Sequence, residues 1–192
     1  MNLLDFDSQE TWNQLYRCEI DGEILGYERK AKPGIIGLDA EKLGNALNLQ
    51  PGQRILLVGG GYGFVQEDLE QVGLGPIVTT DISAHIQGTK SENATVEIYN
   101  ESALTFESRG RIQALFEGPI DVVITEDVLP CLSDAECISL SMALNELCED
   151  VVHWVSPLSP GSVGSLNWKS LEDWKDFLPN DRFVRRGAGE VA

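Results

Sequence analysis

Histidine and cysteine are scarce in this chain, two and four among 192 residues, and neither is arranged for metal chemistry. Cys18, Cys131, Cys137 and Cys148 form no C-x-x-C pair, and they show no zinc spacing with His85 or His153. That excludes a zinc ribbon and a thioredoxin-type redox pair, so no metal is expected and the cysteines read as buried, reduced side chains. No apolar run approaches the roughly 20 residues that span a bilayer, so no membrane partner is expected. The stretch Met1-Asn2-Leu3-Leu4-Asp5-Phe6-Asp7 has neither a basic region nor a signal-peptide core, which makes the cytoplasm the expected location. Basic side chains are also few, 14 against 31 acidic for a net charge of −17. Such a surface repels phosphate backbones at long range and argues against a nucleic-acid partner. Only Arg29, Lys30 and Lys32, or Arg182, Arg185 and Arg186, are spaced to form a local basic patch. Internal repeats and low-complexity segments are absent.

What remains is an ordinary globular mixture, 42% hydrophobic and 23% charged, in a chain long enough to bury a core without staples. Residues 1–35 read as an N-terminal cap or extension, with Trp12, Leu15 and Tyr16 spaced for one helical face. From residue 36 onward strand and helix signals alternate. Asp39 reads as the cap of a helix whose Leu43 and Leu47 fall at i, i+4, and Pro51-Gly52 launches a first strand through Ile55–Val58. Further strands are expected at Ile77–Thr80, Ala94–Tyr99, Asp121–Thr125 and Val151–Val155. The intervening helices are expected at Phe64–Glu70, at 83–92, at Glu107–Glu117 with Ile112, Leu115 and Phe116 inward, and at 135–149 behind an Asp134 cap. Cys137, Leu140, Leu144 and Leu147 mark the inner face of the last of these. Residues 170–178 read as another helix, and Arg182–Arg186 as one edge strand. Alternation of this kind specifies an α/β, three-layer sandwich with a mostly parallel central sheet and helices on both faces. Ligands of such sheets bind beyond the carboxyl ends of the strands.

The densest signal is Ile55-Leu56-Leu57-Val58-Gly59-Gly60-Gly61-Tyr62-Gly63. A buried strand runs into a glycine turn that opens a helix, so backbone N–H groups and the positive end of the helix face whatever approaches. Gly59, Gly61 and Gly63 give G-x-G-x-G. A dinucleotide fingerprint needs G-x-G-x-x-G; its third glycine would fall at Phe64 or Gln66, which disfavours a nicotinamide cofactor. The phosphate loop G-x-x-x-x-G-K-[ST] is absent as well. Asp81, Glu101-Ser102 and Glu126-Asp127 follow the ends of successive expected strands, which points to one shared site.

These residues together resemble the class I S-adenosylmethionine-dependent methyltransferases, over roughly residues 36–160. The glycine turn is similar to that family's first motif, and Leu47-Asn48-Leu49-Gln50-Pro51-Gly52-Gln53-Arg54 is similar to its lead-in. The resemblance implies S-adenosyl-L-methionine as cofactor and a Rossmann-like binding domain over 36–192 with a shortened C-terminal part. It implies Gly59, Gly60, Gly61 and Gly63 against the cofactor, Asp81 on the ribose hydroxyls and Ile82 beside the adenine. Glu101 or Ser102 would recognise the adenine, and Glu126 or Asp127 would face the sulfonium or the incoming nucleophile. In the family an acid usually stands two residues before the first glycine and helps hold the amino-acid tail; here that position is Leu57. The glycine turn also resembles that of the aminopropyltransferases, which carry an aspartate where this chain has Tyr62.

Methyl transfer asks mainly for alignment and exclusion of water. A base is needed only if the acceptor must lose a proton, and Glu126, Asp127 and His153 are its candidates. The expected activity is methyl transfer to a small-molecule or protein acceptor. The alternative is a non-catalytic protein of the same fold, serving as a cofactor-binding or structural subunit. The partners left open are a homo-oligomer or a larger assembly.

Overall fold

The computed structural model describes residues 40–61, 63–82, 96–98, 106–155 and 167–185. In chain order the elements are α1 (Ala40–Ala46), β1 (Pro51–Val58), α2 (Phe64–Gln71), β2 (Gly75–Asp81), β3 (Val96–Ile98), α3 (Phe106–Ala114), β4 (Val122–Glu126), a 3₁₀ turn (Leu129–Cys131), α4 (Asp134–Asn145), β5 (Val151–Val155), α5 (Leu171–Phe177) and β6 (Arg182–Arg185). The six strands form one sheet in the order β3-β2-β1-β4-β5-β6. Every pairing among the described residues is parallel, in line with the expected mostly parallel sheet, and the described C-terminal edge strand joins it in the same direction. The expected third strand is described at Val96–Ile98, and the expected helix at 83–92 and the cap at 1–35 lie outside the described residues.

Alternation along the buried strands sends successive side chains to opposite faces. Ile55, Leu57, Ile77, Val122, Ile124, Val152 and Trp154 pack with Leu43 and Leu47 of α1 and with Val65 and Leu69 of α2. Leu56, Val78, Val123, Val151, Val155 and Phe183 pack on the other side with Ile112 of α3, Cys137, Leu140 and Leu144 of α4, and Trp174 of α5. Leu147 is half-buried against this second core. Leu115 departs from its expected inward place and is 42% exposed, because α3 ends at Ala114 and the following turn carries it off the helical stripe. The cap of α4 is Ser133 rather than Asp134: the Ser133 hydroxyl accepts from the Glu136 amide, and the Glu136 carboxylate accepts from the Ser133 amide. Asp134 instead accepts from Lys169 Nζ and Asn167 Nδ2, both at 2.6 Å.

Polar side chains tie the layers together. Arg54 grips Asp121 through Nε at 2.9 Å and Nη2 at 3.1 Å, with its own amide at 2.8 Å, clamping the starts of β1 and β4. Arg182 holds Asp150 at 2.6 and 2.9 Å and the Leu47 carbonyl at 3.2 Å. Arg182, one of the three arginines of the expected C-terminal basic patch, is thus committed to the amino edge of the sheet; Arg185 is exposed, and Arg29, Lys30, Lys32 and Arg186 lie outside the described residues. Cys131, Cys137 and Cys148 are buried free thiols, and burial pushes the Cys137 thiol up to about 12, which makes it inert at neutral pH. No helix among the described residues is long and apolar enough to cross a membrane.

One polar network has its centre sealed from solvent. His153 and Asp181 side chains are both 0% exposed. His153 Nε2 meets Asp181 Oδ2 at 2.8 Å and Nδ1 meets Thr125 Oγ1 at 2.8 Å. Ser141 Oγ donates to Asp181 Oδ2 at 2.6 Å and Asn145 Nδ2 to Oδ1 at 2.8 Å. Burial pushes the Asp181 carboxyl up, but the donors from His153, Ser141 and Asn145 outweigh it and hold the group below its ordinary value. Removing one member of a buried charged network typically costs about 3–5 kcal/mol, so Asp181→Ala is expected to lose about that much in urea denaturation. A carboxyl held low in the fold stabilises it fully above its unfolded pKa of about 4 and loses that contribution as pH falls through the folded value. Wild-type stability should therefore drop below about pH 4, and Asp181→Asn should flatten that acid limb in denaturation curves recorded across pH.

Candidate functional site

The strand order runs outward from β1 in both directions, which leaves a crevice at the carboxyl ends of β1 and β4. Val58 pairs with Thr80 of β2 and Thr125 of β4. The next residues, Asp81, Gly59 and Glu126, therefore stand level across three neighbouring strands. Asp81 lies two residues beyond Thr79 and Glu126 two beyond Ile124, so both carboxylates project to the face that α2 covers. At a strand spacing of about 4.8 Å their backbones lie about 10 Å apart. Each is 7% exposed. Both are the last residues of their strands, not loop residues beyond them.

The turn between them follows from glycine at specific places. Gly59, Gly61 and Gly63 have φ of +77°, +55° and +81°, a left-handed backbone that costs any other residue. A side chain at 59 would also run into Val128 and lie 3.2 Å from the Glu126 carbonyl oxygen. The turn is tied down by Gly59 N–H to the Thr80 carbonyl at 2.8 Å and Gly63 N–H to the Gly60 carbonyl at 3.1 Å. Gly61 N–H donates to Asp81 Oδ2 at 3.1 Å, which brings the turn and the β2 carboxylate into one site. Gly63 then starts α2 with no side-chain cap, so the helix presents backbone amides rather than a capping oxygen to the crevice.

The helix is fixed by a residue that the glycine pattern alone did not single out. Gln66 is 1% exposed; its Nε2 donates to the Ile77 carbonyl at 2.7 Å, and its Oε1 accepts from Thr79 Oγ1 at 2.9 Å. A dinucleotide fold uses glycine here for close helix–strand packing; this chain bonds the helix to β2 through an amide. The sequence signal was present, since Gln66 occupies the position where that fingerprint demands glycine.

Ile82 lies half-buried just past Asp81. Glu101 and Ser102, the proposed adenine contacts, lie outside the described residues. Asp127 has a left-handed φ of 53°; its amide bonds the Trp154 carbonyl at 3.0 Å, and its carbonyl accepts from Cys131 Sγ at 3.4 Å, turning the chain out of β4. His153 corrects an expectation. It sits in mid-strand on the opposite face from Asp81 and Glu126, sealed from solvent, with both ring nitrogens engaged by Thr125 and Asp181, so it is not placed to take a proton from an acceptor in the crevice. Leu57 is 1% exposed and belongs to the core under α2. Among the described residues, no three His, Cys, Asp or Glu side chains are grouped to hold a metal ion.

No protein-family model matches the chain, and no characterised protein matches it by sequence. Solved structures do match. A SAM-dependent methyltransferase from Archaeoglobus fulgidus is 16% identical, with 75% of this chain and 67% of that one covered at a TM-score of 0.53. A structure described as the conversion of a disulfide bond into a thioacetal group during echinomycin biosynthesis is 15% identical, with 87% and 77% covered and a TM-score of 0.56. A TehB-like SAM-dependent methyltransferase from Corynebacterium glutamicum is 14% identical, with 89% and 80% covered and a TM-score of 0.50. These likenesses speak to architecture, and with the strand order above they lead to one conclusion: the chain has the three-layer, Rossmann-like α/β fold shared with S-adenosylmethionine-dependent methyltransferases.

Proposed function

We propose that this protein is an S-adenosylmethionine-dependent methyltransferase acting on a small-molecule or protein acceptor. The observation that carries the reading is the level arrangement of Asp81, Gly59 and Glu126 around an uncapped glycine turn. The residues present fit the nucleoside of the cofactor. The start of α2, which carries no side-chain cap, opens on the crevice, while the Gly59, Gly61 and Gly63 amides hold the turn in place through bonds to Thr80, Asp81 and Gly60. Asp81 is held beside the turn by Gly61, and a carboxylate offers about four acceptor positions, so that bond is compatible with gripping two ribose hydroxyls. Ile82 supplies an apolar neighbour for the base.

When bound, the cofactor brings an already activated methyl group. The chain's own part is to orient the acceptor, exclude water and, where the acceptor is protonated, receive its proton. Glu126 and Asp127 remain the candidates for that role, Asp127 alone where Glu126 is taken up by the cofactor. The net charge of −17 supports a neutral or cationic acceptor over a polyanion. A second reading, a non-catalytic protein on this fold, draws support from Leu57 being given over to the core and from the commitment of His153 to its buried network.

Calorimetry with S-adenosylmethionine, S-adenosylhomocysteine and NAD tests the choice. Saturable binding of the first two but not NAD is expected, with Asp81→Ala weakening S-adenosylhomocysteine by roughly a hundredfold or more, as loss of two charge-assisted hydrogen bonds implies. Binding of none of the three by folded protein would sink the cofactor reading and leave a structural role.

A further inference from the structure

We infer that Glu126 holds the ammonium of the cofactor's amino-acid tail, replacing the acid that position 57 lacks; this rests on the methyltransferase reading above. A cationic ammonium brought into a crevice must find an anionic or carbonyl acceptor, since burying it unpaired is costly. Position 57 does not provide a carboxylate. Leu57 is 1% exposed and packs with Ile55, Val65 and Ile124 under α2, so an acid there would be sealed in the core.

The neighbouring strand offers the substitute. Leu57 pairs with Ile124, and Glu126 lies two residues further along β4 on the same face, beside Gly59. With no Cβ at Gly59, Val128 and the end of β4 close directly onto β1: a Cβ at 59 would run into the Val128 side chain and lie 3.2 Å from the Glu126 carbonyl oxygen. Asp81 is not equivalent, because it stands on the far flank of β1 and receives the Gly61 amide. Asp127 is not equivalent either, because its left-handed backbone takes it out of the strand alternation. The two level carboxylates thus divide the ligand between them: Asp81 on the β2 side takes the sugar, and Glu126 on the β4 side takes the charged tail.

Two ligands separate this role from general support of the site. S-adenosylhomocysteine carries the nucleoside and the tail; 5′-methylthioadenosine carries the nucleoside and thioether without the tail. Glu126→Gln keeps the shape and removes the charge. It is expected to weaken S-adenosylhomocysteine by about tenfold to a hundredfold in calorimetry, the range for a hydrogen bond to a charged group, while leaving methylthioadenosine affinity unchanged. Glu126→Asp, which keeps the charge on a shorter arm, should recover part of the loss, and it provides the comparison if the Gln variant melts at a lower temperature than wild type. Equal weakening of both ligands, or of neither, overturns the assignment to Glu126 while the cofactor reading stands. Failure of wild-type protein to bind either ligand overturns both.

Discussion

The register of β1 between β2 and β4 governs everything at the carboxyl edge of this sheet. A slip of one residue in a strand turns every side chain to the opposite face, so the placement of Asp81 and Glu126 on the α2 side depends on Val58 lying opposite both Thr80 and Thr125. Three features hold that register. Arg54 and Asp121 clamp the amino ends of β1 and β4. Alternating apolar side chains commit each strand to two different cores. At the carboxyl end, the Thr80 hydroxyl reaches the Leu57 carbonyl at 3.4 Å and the Gly59 amide bonds Thr80. The glycine turn is thereby presented at one height, between two carboxylates.

Each face of the sheet also carries a buried polar network in its upper half. Under α2, Gln66 links helix to strand through Thr79 and Ile77. Under α4 and beyond β5, Asp181 collects His153, Ser141 and Asn145, and His153 carries the chain of contacts on to Thr125. Thr125 immediately precedes Glu126, so the end of β4 is fixed on one face by the hydroxyl at 125 and offers its carboxylate on the other. Polar networks of this kind specify one arrangement only when fully satisfied. Both are satisfied by partners from different elements, which makes them devices of alignment as much as of stability.

Much of this was legible from local pattern. The alternation of strands and helices, the buried stripe Cys137–Leu140–Leu144 and the strand Val151–Val155 follow from periodicity and β-branched runs, because burial on one or both faces leaves its period in the sequence. The glycine spacing marked the turn, since a left-handed backbone and close approach restrict residue type at the position itself. Local signals misjudged ends and caps, as at Leu115 and Asp134, where one residue's phase decides the outcome.

The sequence by itself determined the fold class, the turn at 59–63 and the residue types that follow each strand, because those depend on the chemistry of adjacent residues. Only the tertiary structure decided which of those residues share a face and a level. His153 looked as eligible as Glu126 in one dimension; packing gave it to Asp181, 28 residues away in sequence, and sealed it from the crevice. The placing of Glu126 level with Gly59 follows from the pairing of Val58 with Thr125, on strands that are separated in the chain by β2 and β3. Contacts of that range depend on how the strands are ordered and registered, which no short stretch of sequence records.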